Sequence, residues 1–191
     1  MDTTTTDIFE QNFKAIYLSH YEGMVRFARE YVVSVEEAEN IVHDSFAELW
    51  EVREKYIHKM KYLLAFLFTS IKNKCIDYLR HEIVVKETED MLQQEYRLSM
   101  KMKYYSLEAF NEDVLSDSDL DELIYKAIAS LPDKCREIFV KNKFEGKRQK
   151  EIARELNISI NTVENHMAVA YKKLKQELKD YLPLLIFLLY V

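Results

Sequence analysis

The stretch "NISINTVENHM", residues Asn157–Met167, interrupts two segments of helical periodicity near the end of a 191-residue chain that holds only two glycines and two prolines. With so few helix-breaking residues the chain reads as all-α, and a polar break needs a reason. Before the break, "QKEIARELN" turns Ile152 and Leu156 inward, with Ala153 small enough for a close helix crossing. Asn157 tolerates the left-handed conformation that ends a helix, and Ile158 plugs the turn. Ser159 is placed to cap the next helix, and Asn161 with Glu164 offers a second cap. In that next helix Val163, Met167, Ala170 and Leu174 form one apolar stripe. The remaining arc carries Asn161, Thr162, Asn165, His166, Val169, Lys172 and Lys173. Asn and His bond base edges, Thr and Val meet thymine methyls, and the late lysines meet phosphates. The pattern predicts a helix-turn-helix whose second helix stands in a DNA groove; an ordinary corner between two helices is the alternative.

Working outward, the segment that leads into this pair, "LDELIYKAIASLPDKCREIFVKNKFEG", supplies two helices separated by Pro132, expected at the first helical position, with Gly146 ending the second. Near the start of the chain a first helix is expected from about Asp7 to Val33, stopped by Ser34. Ser34 and Glu37 have capping-box spacing. The helix they open turns Ala38, Ile41, Val42, Phe46, Leu49 and Val52 inward and shows Glu37, Asn40, Asp44, Glu48 and Glu51 on its other face. Trp50 reads as core. In "KYIHKMKY", bases alternate with aromatics and include Lys55, Lys59 and Lys61. "LLAFLFTSIKNKCIDYLRH" then buries Leu64, Leu67, Phe68, Ile71, Cys75, Tyr78 and Leu79, and shows Ser70, Asn73, Lys74, Asp77, Arg80 and His81. The expected organisation is two small helical domains, 1–81 and 119–191, joined by an acidic linker, 82–118, helical in part. The tail "LLIFLLYV" is too apolar for water and about half the ~20 residues needed to span a bilayer. It is expected to pack on the second domain's own helices, without stable membrane insertion; docking on a partner is the alternative.

Charge narrows the function. The net charge of −6 hides an alternation: −8 over residues 1–54, +5 over 55–81, −8 over 82–133 and +6 over 134–175. Two basic blocks between acidic ones suit two polyanion-binding surfaces on a protein that also meets a basic or polar partner. Cys75 and Cys135 form no CxxC motif, and the five histidines are scattered. No metal site, cofactor, catalytic triad or disulfide framework can be proposed from such spacing, and the chain reads as a reduced, cytoplasmic non-enzyme. The N-terminus lacks the basic and apolar runs of a signal peptide.

Three stretches together resemble one family. "YEGMVRFAREYVVSVEEAENIVHDSFAELWE", "FLFTSIKNKCIDYLRH" and "LPDKCREIFVKNKFEGKRQKEIARELNISINTVENHMAVAYKKLK" are similar, in this order, to the first conserved region, the promoter-melting helix and the C-terminal region of sigma-70 family sigma factors of the extracytoplasmic-function class. Asn157 stands where glycine is usual, and Lys147-Arg148 where a capping Ser or Thr is common. The resemblance implies core RNA polymerase, promoter DNA and an anti-sigma factor as partners. It implies that Glu37, Asn40, Asp44, Glu48 and Glu51 dock on polymerase. Lys55, Lys59, Lys61, Asn73, Lys74, Asp77 and Arg80 would open and hold the −10 element. Asn161, Thr162, Asn165, His166, Val169, Lys172 and Lys173 would read the −35 element. A helix-turn-helix regulator that is not a polymerase subunit, and a helical adaptor with no DNA role, are the competing functions.

Overall fold

The first helix stops at Arg29, four residues short of the expected Val33, and Ser34 opens the next one. In the computed structural model, which describes residues 3–56, 63–87, 94–112 and 117–191, helix α1 (Thr3–Arg29) passes to α2 (Val35–Glu51) through this serine. Its backbone is extended and its Oγ accepts the Glu37 amide at 3.0 Å, as the spacing predicts. Ala38, Ile41, Val42, Phe46 and Leu49 are buried, so the inward stripe of α2 falls where its period puts it. After the single turn α3 (Arg53–Tyr56), α4 (Leu63–Glu87) lays Leu64, Leu67, Phe68, Ile71, Cys75 and Leu79 against α1 and α2. Trp50 departs from expectation. It is 37% exposed at the rim, edge-on to Phe13 at 5.1 Å, with the Arg53 guanidinium over its ring.

The stretch expected as an acidic linker holds more structure than its composition suggests. Helix α4 runs on to Glu87, and α5 (Gln94–Glu112) packs along α4 with Met100 and Leu107 buried. Met100 and Leu107, two turns apart, with the partly buried Tyr96 and Tyr104, seat this otherwise polar helix on an existing surface. Residues 88–93 and 113–116 lie outside the described residues.

The second domain is built from α6 (Asp117–Ala129), α7 (Asp133–Lys143), α8 (Gln149–Glu155) and α9 (Ile160–Glu177). Pro132 sits one residue earlier than expected, at the N-cap of α7. Gly146 follows the end of α7 with φ +65°, in the left-handed region that glycine enters freely. Ile138 and Phe139 of α7, Ile152 of α8 and Val163, Met167, Ala170 and Leu174 of α9 close a common core.

The tail corrects the sequence reading. Helix α10 (Leu182–Tyr190) turns back across the first domain, where Phe187 meets Phe27 and Phe68 edge-on, at 5.3 and 5.2 Å between ring centres. Helix α10 packs on α1 and α5 and touches α9, so the first domain supplies most of its cover. Burying a phenylalanine of this kind contributes roughly 1.5–3 kcal/mol. The end of α10 also desolvates two bases. His20 donates from Nδ1 to the Val191 carbonyl at 3.2 Å, and burial pushes its pKa down to about 4. Burial, reinforced by the Arg26 charge, pushes the Lys143 amine down to about 8. Among the described residues no helix is long and apolar enough to cross a membrane.

Candidate nucleic-acid interface

The break at residues 157–159 takes the geometry its residues favour. Asn157 adopts φ +52°, and the Ile158 amide bonds back to the Ala153 carbonyl at 2.9 Å, closing α8. Ser159 is extended, and its Oγ accepts the Thr162 amide at 3.0 Å, opening α9. At the other end of α8, Arg148 offers no acceptor for capping. The Glu151 carboxylate takes the Arg148 amide at 2.7 Å instead, half of a capping box. So the Lys147-Arg148 departure costs the helix little.

The outward arc of α9 divides in two. Asn161, Asn165, Val169 and Lys172 are exposed, one helical repeat apart, and Lys173 is half-buried with its ammonium 4.0 Å from Glu177. Thr162 and His166 face partly inward. The Thr162 hydroxyl lies 2.8 Å from Ser159 Oγ, and His166 Nδ1 lies 3.4 Å from Cys135 Sγ. Both residues sit beside the apolar stripe, and Cys135 of α7 lies against His166. Arg148, Lys150 and Arg154 form a second exposed basic set, on α8. Sequence reading passed over them, although Lys150 and Arg154 in "KEIAR" lie one turn apart on one helix face, with Arg148 at the N-cap. In a helix-turn-helix the first helix crosses the phosphate backbone, which is where such side chains act.

In the first domain Asn73, Asp77 and Arg80 are exposed along one face of α4, and Arg80 pairs with Asp77 at 2.9 Å. Arg80 also lies over the Tyr104 ring of α5 at 6.0 Å. Lys55 is exposed on α3, whereas Lys59 and Lys61 lie outside the described residues.

Glu48 and Lys74, to which the family resemblance gives different partners, meet each other. Lys74 Nζ donates to Glu48 Oε1 at 2.7 Å, and Ser70 Oγ donates to Oε2 at 2.6 Å. Ser70 Oγ stands 2.9 Å from Ser45 Oγ, which bonds the Ile41 carbonyl. This polar seam joins α2 to α4. Partial burial pushes the Glu48 carboxyl up, but the hydrogen bonds from Lys74 and Ser70 outweigh it and carry the group below the usual carboxylate value. Glu37, Asn40, Asp44 and Glu51 remain exposed on α2.

The order of these parts has a counterpart among known proteins. A family model described as sigma-70 region 2 matches residues 16–82, and one described as sigma-70, region 4 matches residues 121–174, together more than half of the chain. The chain belongs to the sigma-70 family of sigma factors, which direct RNA polymerase to promoters and start transcription without being enzymes themselves. Its region 4 is of the type found in the extracytoplasmic-function class, and the chain is a factor of that class. No curated protein matches it.

Proposed function

We propose that the two domains divide the work of promoter recognition between them. The exposed acidic face of α2, centred on Asp44 with Glu37, Asn40 and Glu51, docks on core polymerase. The face of α4 with Asn73, Asp77 and Arg80 holds the −10 element as an opened strand, where backbone phosphates meet basic groups. Helix α9 enters the major groove of the −35 element with Asn161, Asn165 and Val169 toward bases and Lys172 toward phosphate, while α8 meets the backbone. Glu48 and Lys74 act between α2 and α4, holding both working faces in register. The protein works in the cytoplasm, beside polymerase, and an anti-sigma factor restrains it.

The observation that carries this reading is the exposed Asn161–Asn165–Val169–Lys172 arc on a correctly capped second helix, within the matched region 4. A binding comparison tests it. Purified chain alone and chain with core polymerase are titrated onto duplex promoter fragments. A promoter subunit binds specifically only with core. Tight, sequence-specific binding by the free chain, unaffected by core, is the behaviour of an independent regulator and would overturn the proposal.

A further inference from the structure

Helix α10 ends on a seam between the two domains. The last carbonyls of a helix have no partners inside it. Here side chains of both domains supply them: Lys143 Nζ of α7 donates to the Leu189 carbonyl at 3.3 Å, Arg26 of α1 to that of Tyr190 at 3.5 Å, and His20 of α1 to that of Val191. The Tyr190 hydroxyl donates to Glu30 at 2.7 Å. Both glycines of the chain lie on this seam. A Cβ at Gly146 would stand 2.1 Å from Ser19 Oγ, although the left-handed backbone there also favours glycine. Gly23 has no such second reason. It lies inside α1, where glycine is among the poorest helix formers, and a Cβ there would stand 2.3 Å from the Tyr190 carbonyl oxygen. The close approach of α10 accounts for it.

We propose that α10 is an intramolecular clasp, which holds the second domain on α1 in the free chain and must leave its seat before the protein reads two promoter elements at once. The second half rests on the two-element reading above. With α10 seated on Phe68, the remainder of α9, the short turn after it and α10 itself keep Asn165 within about 60 Å of Asn73, at ~1.5 Å per helical residue and at most ~3.5 Å per extended one. Elements centred about 25 base pairs apart lie ~85 Å apart along B-DNA at 3.4 Å per step. The clasped chain cannot span them. Closure therefore keeps the free protein from occupying promoters, and polymerase, by holding the domains apart, selects the open form.

The test uses the full chain with donor and acceptor dyes on non-natural residues at exposed Glu36 and Lys175. Wild type shows high energy transfer alone and low transfer once core polymerase is added. Gly23→Leu, a better helix former that blocks the seat, shows low transfer without core. It binds core more tightly, about tenfold if one wild-type chain in ten is open. Circular dichroism checks that its helical content is kept. A second variant, Arg26→Gln with Tyr190→Phe, loosens the same seat without added bulk and moves transfer in the same direction. Unchanged transfer in both variants overturns the clasp. Reduced transfer with unchanged affinity for core overturns its inhibitory role. If neither wild type nor variants bind core, the polymerase reading fails, and the transfer values alone decide whether the clasp exists.

Discussion

Cutting the bond between Glu48 and Lys74 separates a structural role from a binding role at both positions. Glu48 takes hydrogen bonds from Lys74 at 2.7 Å and Ser70 at 2.6 Å, and the two charged side chains keep 46% and 27% of their surface exposed. A fully buried hydrogen bond to a charged group contributes about 1.5–3 kcal/mol, a solvated surface pair about 0.2–1. The partial exposure places this pair between them, at a coupling of about 0.5–1.5 kcal/mol. Glu48→Ala also loses the Ser70 bond, so it should cost about 1–2 kcal/mol and lower the melting temperature by roughly 3–6 °C in a chain of this length. The assay is urea denaturation of wild type, Glu48→Ala, Lys74→Met and the double variant, read as a double-mutant cycle. The pH dependence has a fixed sign. The folded carboxyl titrates below its unfolded value, so its contribution is complete at neutral pH and is lost as pH falls through the depressed value. Additive single effects, with a coupling near zero, would refute the seam. Lys74→Ala alone is then ambiguous for promoter opening, because it also releases Glu48; Asn73→Ala, exposed on α4, is the clean probe.

Asp44→Arg should weaken association with core polymerase without changing the denaturation midpoint, and co-purification at wild-type yield would remove Asp44 from that surface. Asn165→Ala should cost about 1–3 kcal/mol at the preferred −35 sequence and relax specificity there, whereas Lys172→Ala should weaken all sequences alike and lower the salt slope by about one, as salt titrations of the holoenzyme can show. Val163→Asp buries an unpaired carboxylate at a fully enclosed position, so the second domain should lose its helical signal by circular dichroism, and a folded variant would contradict the core assignment. His20 has a folded pKa of about 4 against 6.5 unfolded, with Nε2 buried without a hydrogen-bond partner and Lys143 nearby. On acidification the unfolded chain takes the proton first, so stability should fall between pH 6.5 and 4, by about 3 kcal/mol at most, and His20→Gln should flatten that fall.

What the sequence disclosed is what short range decides. The caps at Ser34 and Ser159 and the left-handed Asn157 depend on neighbours three or four residues away, and each takes the expected geometry. The apolar stripes of α2, α4 and α9 were legible for the same reason: period alone fixes which side chains share a face. The largest misses are meetings between faces. Nothing local tells that Glu48 and Lys74, 26 residues apart, point at one another, or that Cys135 closes over His166. The seat of α10 is the extreme case, joining Val191 to His20 across 171 residues. Hydropathy showed that the tail must be covered and could not show by what. In hindsight Gly23, alone inside a long helix, was the one mark left in the sequence. The helix α5 was masked by its charge, which hid the few apolar side chains, Met100 and Leu107 among them, that seat it.

Mapping transcript starts tests the central claim most directly. Core RNA polymerase, with and without the purified chain, transcribes a library of duplex templates randomised upstream of the start, and the templates that yield transcripts are sequenced. The account predicts that the chain alone makes the difference: starts appear at templates sharing two sequence blocks about 25 base pairs apart, and Asn165→Ala blurs only the upstream block. Identical starts with and without the chain would contradict it, as would a single enriched block.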